Sequence, residues 1–211
     1  MQKEIARALL SIRAVFLSPD KPFTWASGIK SPVYCDNRLI LGYPQVRDKV
    51  EHAIAESVKK FYPAAQALMG TSTAGIAHAA IAASILNLPM GYVRGAAKDH
   101  GRNNRIEGRL DPGMKVVVVE DLISTAGSCI DTVEALREAG AEVLGVVSIF
   151  TYGMKKGIDR LAEAKVENHS LTNFDTLIEV AAEENYIPAS RLPLLRKFIE
   201  SPSTWKPVEE A

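Results

Sequence analysis

Residues 116–128 read Val-Val-Val-Val-Glu-Asp-Leu-Ile-Ser-Thr-Ala-Gly-Ser, and no other stretch limits the fold so tightly. Four successive β-branched residues fit a strand buried on both faces, as in a parallel sheet. Glu120 and Asp121 follow at once, and Ser124-Thr125-Ala126-Gly127-Ser128 then opens a helix. This order puts two carboxylates and a ring of backbone N–H groups at the carboxyl end of a strand, where open α/β sheets bind ligands. Adjacent strand residues point to opposite faces, but at a strand end both can turn towards one ligand. The acids suit sugar hydroxyls or a metal ion, and the loop suits a phosphate. A ligand with both a ribose and a phosphate satisfies the whole element.

The flanking sequence agrees with a sheet of this kind. Helical spacing of Ile5, Leu9, Ile12 and Phe16 predicts a helix over 2–17, and Pro44 begins a second one that runs to Phe61. Strands are expected at 67–69, 90–94, 115–119, 142–150 and 168–171, and helices at 76–86, 127–138, 155–165, 174–184 and 189–200. Gly140 stops one helix and Asn173 caps another. Strands that alternate with helices imply a mostly parallel sheet with right-handed crossovers. The 211 residues read as one α/β domain, with a tight turn at 70–75. Residues 18–42, which hold Pro19, Pro22, Gly28, Pro32, Trp25 and Tyr34, form a small β-rich cap.

Composition closes off other classes. Twenty-five basic residues balance 25 acidic ones, so no bulk attraction to nucleic acid or membrane is expected. Cys35 and Cys129 are too few and too far apart for a disulfide framework or a zinc site. Without a signal peptide or a bilayer-length apolar run, the cytoplasm is the expected location. His52 and His78 fall on predicted helices without metal-like partners, which suits structural roles.

The acids and the loop can be read further by elimination. There is no Gly-x-x-x-x-Gly-Lys-Ser/Thr and no Gly-x-Gly-x-x-Gly after a strand, which excludes the P-loop and the dinucleotide fingerprint. A second element, Tyr92-Val-Arg94-Gly-Ala-Ala-Lys98-Asp-His100-Gly-Arg102-Asn-Asn-Arg105, places four cations and a histidine in a glycine-bearing loop after a strand. Such a loop can close on a polyanionic leaving group, neutralise its charge and exclude water.

Residues 116–128 resemble the 5-phosphoribosyl 1-pyrophosphate (PRPP) motif of the type I phosphoribosyltransferases. Arg94-x-x-x-Lys98-Asp99-His100-Gly101 is similar to the catalytic loop of the orotate phosphoribosyltransferases within that group. The resemblance implies the type I phosphoribosyltransferase fold, a mostly parallel central sheet flanked by helices, with residues 18–42 as a hood and 95–109 as a flexible catalytic loop. It implies conversion of orotate and PRPP to orotidine 5-phosphate and pyrophosphate in UMP biosynthesis. By the same resemblance the PRPP site comprises Arg94, Lys98, His100, Glu120, Asp121, Leu122, Ile123, Ser124, Thr125, Ala126, Gly127 and Ser128. Glu120 and Asp121 then contact the ribose hydroxyls, and Ser124 to Ser128 the 5-phosphate. Lys98, His100 and Asp121 carry the catalytic roles, and Ser124, Lys30 and Tyr34 face orotate. Magnesium is expected as cofactor, bound mainly through PRPP rather than by protein side chains. A homodimer is implied, with the catalytic loop shared between subunits.

This chain departs from the pattern of relatives at several places. Ala126 stands for a common glycine, Gly95 for a lysine after the arginine, and Ala26 for a lysine in the hood. Cys35 replaces a second aromatic, Thr73-Ala74 a Tyr-Lys pair, and Thr151-Tyr152 occupies the region of an orotate-reading arginine. Two alternatives share residues 116–128: a transferase for another base, and a regulatory protein that senses PRPP.

Overall fold

The computed structural model describes residues 1–24, 30–95 and 105–207. In chain order, α1 (Gln2–Ser11) precedes four short strands, β1 (Val15–Leu17), β2 (Phe23–Thr24), β3 (Lys30–Ser31) and β4 (Val33–Cys35). β1 pairs with β4 and β2 with β3, both antiparallel. A 3₁₀ turn at Asn37–Gly42 leads to α2 (Pro44–Phe61), β5 (Ala67–Thr71), α3 (Ala74–Leu86), β6 (Met90–Val93) and β7 (Ile106–Glu107). β8 (Lys115–Ile123), α4 (Gly127–Glu138), β9 (Glu142–Thr151), α5 (Lys155–Glu163), β10 (Asn168–Asn173), α6 (Phe174–Glu183) and α7 (Leu192–Glu200) follow. The main sheet runs β10-β9-β8-β5-β6-β7 and is parallel except for β7. β8 lies inside it, which is why its valines read as a continuous apolar run.

Those valines divide between two cores. Val117 and Val119 join the larger one, with Leu9, Ile54, Ala79 and Leu177 from α1, α2, α3 and α6. Val116 and Val118 join the other, with Ile130, Val133 and Leu136 of α4. Leu122 packs with the first cluster and Ile123 belongs to the second, the reverse of what alternation from 116–119 gives. The alternation therefore slips by one residue across the two acids.

Three expectations from the sequence change. The N-terminal helix ends at Ser11, not at 17, because Arg13 takes a left-handed φ of 56° and Val15–Leu17 pairs with β4. Phe16 is then 42% exposed instead of facing the core. The polar segment 95–109 contains a strand, β7, whose Ile106 is buried beside Val93. The strand expected at 115–119 continues to Ile123, so both acids lie within the ladder, and Glu120 is in register with Ser148 of β9. Smaller shifts occur too: β5 runs on to Thr71 and α3 begins at Ala74, which shortens the turn expected at 70–75, β10 runs on to Asn173, and α7 begins at Leu192 after a 3₁₀ turn. Pro44 starts α2, Gly140 has a φ of 91°, and the Asn173 side chain accepts the Thr176 N–H.

α2 and α3 are joined inside the larger core by one polar pair. His78 Nδ1 and Glu51 Oε1 lie 2.6 Å apart, and both side chains are fully buried. Burial raises the Glu51 pKa, and the hydrogen bond to His78 pulls it back part of the way. His78 thus has the structural role expected of it. His78→Ala leaves the buried carboxyl without its partner and should destabilise the fold by about 3 kcal/mol, read by urea denaturation. A loss below about 1 kcal/mol would mean that the pair contributes little.

Candidate active site

Each of the two acids at the end of β8 is held by a different neighbour. Glu120 is 4% exposed. Its Oε1 accepts from Thr71 Oγ1 at 2.6 Å and from the Asp121 N–H at 3.0 Å, and its Oε2 accepts from Ser128 Oγ at 3.2 Å. Thr71 ends β5 and Ser128 sits in the first turn of α4. Asp121 is half-buried, and its carbonyl accepts from Asn37 Nδ2 at 2.7 Å. Asn37 is itself buried and belongs to the 3₁₀ turn after β4.

The two forces on Glu120 oppose each other. Desolvation favours the neutral acid, and the bond from Thr71 favours the anion. Burial dominates and, with the neighbouring Asp121, pushes the Glu120 carboxyl up to about 8. Such a shift in a cleft is a mark of functional sites.

Ser124 to Ser128 form the turn between β8 and α4. Ala126, at the helix N-cap, has φ 59° and ψ 15°, and α4 has no side-chain cap. The first N–H groups of α4 are therefore free to meet an anion. α5 supports this turn from behind. Arg160 Nη1 donates to the Thr125 carbonyl at 3.0 Å. A Cβ on Gly157 would stand 2.4 Å from the Ser124 carbonyl oxygen, so only glycine lets α5 approach this closely. No periodicity or motif marked Thr71, Asn37, Gly157 or Arg160, because their partners lie between 35 and 84 residues away in sequence or meet them only through packing.

The basic loop is described only at its two ends. The Arg94 N–H donates to the Arg105 carbonyl at 2.8 Å, and Arg105 Nε donates back to the Arg94 carbonyl at 3.0 Å. Arg105 also forms a forked pair with Asp131 of α4, with Nη1 3.0 Å from Oδ1. Lys98 and His100 lie outside the described residues. In the hood, Lys30 Nζ donates to Thr24 Oγ1 at 2.8 Å, and Tyr34 is exposed with its ring 5.8 Å from that of Phe23. Among the described residues no group of three His, Cys, Asp or Glu side chains could hold a metal ion. Among them, too, no helix is long and apolar enough to cross a membrane.

With this geometry in view, a family model for the phosphoribosyl transferase domain matches residues 40–186. An orotate phosphoribosyltransferase of Listeria monocytogenes serotype 4b is 52% identical over 205 residues, covering 97% of this chain and 98% of that one. The chain belongs to the orotate phosphoribosyltransferase family. A Bacillus cytotoxicus member of this family is 54% identical over 203 residues, covering 96% of this chain and 97% of its own. The crystal structure of orotate phosphoribosyltransferase from Aeropyrum pernix matches with a TM-score of 0.74 at 29% identity, over 87% of this chain and 99% of that one. The structure of Leishmania donovani UMP synthase matches with a TM-score of 0.79 at 25% identity, over 94% of this chain and 42% of the longer protein.

Ala126 takes a left-handed φ of 59°, a conformation that favours glycine, which gives the glycine expected at this place from the PRPP-motif resemblance a physical basis. The family site also has a stability cost. A carboxyl whose folded pKa lies above its unfolded value holds a proton that the unfolded chain has lost, so stability falls as pH rises from about 4.5 towards 8. Glu120→Gln removes that titration and should stabilise the fold by about 1–2 kcal/mol near pH 8. The gain should shrink towards pH 5, as followed by thermal melts. An equal effect at both pH values would show that Glu120 is not held protonated.

Proposed function

We propose that the residues at the carboxyl end of β8 bind PRPP while the chain transfers its 5-phosphoribosyl group to orotate, the reaction of its family. The observation that carries the site assignment is the placement of Glu120, Asp121 and the 124–128 turn on one continuous strand–turn–helix element. In this reading the N–H groups and hydroxyls of Ser124, Thr125, Ala126, Gly127 and Ser128 take the 5-phosphate. Leu122 and Ile123 provide the floor beneath it. Glu120 and Asp121 accept the ribose hydroxyls, and Ser124 also reaches orotate. Residues 18–42 act as the hood over the base, with Lys30 and Tyr34 on that side.

As orotate N1 forms its bond to the anomeric carbon, the bond to pyrophosphate breaks. Positive charge develops on the ribose ring and negative charge on the leaving group. The protein's part is to position the reactants and to compensate those charges. Asp121 lies on the ribose side and Arg94, Lys98 and His100 on the pyrophosphate side, where His100 touches the pyrophosphate or relays a proton. Magnesium, held mainly through PRPP rather than by protein side chains, would supply neutralisation of the charge that develops on the leaving group. We assign the chain to the cytoplasm, where a biosynthetic transferase of this kind finds its substrates.

A homodimer whose catalytic loop reaches the neighbouring site follows from the same reading. Lys98→Ala should lower kcat by about 100-fold or more, and Asp121→Asn should weaken PRPP binding by about tenfold or more. Mixing the two variants tests the sharing directly. If the loop acts in the partner's site, a mixed dimer has one site with both residues intact, and activity should reappear on mixing. Mixtures no more active than either variant would place the loop in its own subunit's site.

A further inference from the structure

We propose that Thr71 is a positioning residue for ribose recognition: its hydroxyl orients the Glu120 carboxyl and keeps it an acceptor for a sugar hydroxyl. This rests on the PRPP reading and adds to it a residue from another strand. Thr71 is buried at the end of β5 and makes the shortest of the three bonds to Glu120, 2.6 Å. Its Oγ1 also lies 3.3 Å from the Val119 carbonyl, so both neighbours of the hydroxyl are acceptors on β8.

Counting lone pairs shows what the bond does. An ionised carboxylate offers about four acceptor positions. Thr71 and the Asp121 N–H fill those of Oε1, and Ser128 fills one of Oε2, which leaves one position for which the Asp121 side chain, in hydrogen-bond contact with the carboxyl, and a ligand compete. With Oε1 held twice, that position has a fixed direction. A protonated carboxyl loses part of this capacity, and the Asp121 N–H cannot reverse to accept from it. The bond from Thr71 favours the anion, against a burial that pushes Glu120 up to about 8. Among the described residues the other titratable groups that bear on Glu120 are Asp121 on its own strand and Cys129 on α4. Asp121 adds to the upward push while burial keeps the Cys129 thiol neutral, so the hydroxyls of Thr71 and Ser128 and the Asp121 N–H are what favour the charge.

The space around this hydroxyl is reserved for it. A Cβ on Gly75, in the first turn of α3, would fall 2.6 Å from Thr71 Oγ1 and 2.4 Å from the Val119 carbonyl oxygen. Glycine at 75 therefore lets α3 close over β5 and β8 without displacing Thr71 from Glu120. One hydroxyl thus joins the turn after β5 to the acids of β8.

The test is the steady-state KM for PRPP and kcat from about pH 6 to pH 9 for wild type, Thr71→Val and Thr71→Ser, the range that spans the Glu120 titration. Thr71→Val should raise KM about tenfold near pH 7, change kcat less than about threefold, and move the pH inflection of KM upward. Thr71→Ser keeps the hydroxyl and should restore both the KM and the inflection. In a Glu120→Gln background, where the carboxylate is gone, Thr71→Val should change KM by less than about twofold. An unshifted KM and inflection in Thr71→Val, or a full tenfold effect in the Glu120→Gln background, would overturn the proposal. If Thr71→Val does not fold, Thr71→Ala removes the same hydroxyl and is judged by the same outcomes. Wild-type protein that does not use PRPP at all would instead overturn the underlying reading, and this shows before any substitution is made.

Discussion

A carboxyl group buried at the end of a central parallel strand organises this molecule. Glu120 sits inside the β8 ladder, its carboxyl reaches the first turn of α4, and only 4% of its surface is exposed. Desolvation of such a group is costly unless donors surround it. Here three donors come from three places: Thr71 at the end of β5, Ser128 in α4, and the next backbone N–H. The end of β5, the acids of β8 and the first turn of α4 must therefore keep their mutual geometry.

Around that centre the second layer consists of close approaches. Gly75 lets α3 settle over Thr71, and Gly157 lets α5 settle against Ser124. Arg160 ties the 124–128 turn to α5 through the Thr125 carbonyl, and Asn37 ties Asp121 to the 3₁₀ turn that follows β4. The Arg94–Arg105 clasp, anchored on Asp131 of α4, brings the two ends of the basic loop together beside the same helix. α4 and α5 touch the acids or the 124–128 turn directly, through Ser128, Gly157 and Arg160, and α3 reaches Glu120 only through Thr71.

Much of this was legible in the chain because local rules and tertiary structure agree there. The valine run and the small-residue turn fall where expected, as do the helix start at Pro44, the stop at Gly140 and the cap at Asn173. The differences have physical causes. Val15–Leu17 carries helical spacing but finds a strand partner in β4, and pairing outweighs the pattern. Ile106–Glu107 is too short to show periodicity and is defined by its pairing with β6. β8 extends past the valines because Glu120 is satisfied within the ladder, whereas an unpaired acid reads as a strand end. Thr71, Asn37 and Arg160 were not legible. Their importance lies in what they touch, and neither residue type nor spacing announces a contact across tens of residues.

The account stands on a protonation state that sugar binding should change. In the PRPP reading a ribose hydroxyl donated to Glu120 favours the anion and, where that bond outweighs the like charge of the phosphates, lowers the pKa of that carboxyl. The direct measurement is a ¹³C NMR titration of the Glu120 carboxyl carbon, assigned by comparison with Glu120→Gln, with and without saturating PRPP. The expected result is a midpoint of about 8 in the free protein, moving down when PRPP is bound. A midpoint near the ordinary glutamate range of about 4.3, or one that PRPP leaves in place, would contradict the claim that a buried, donor-held Glu120 reads the ribose.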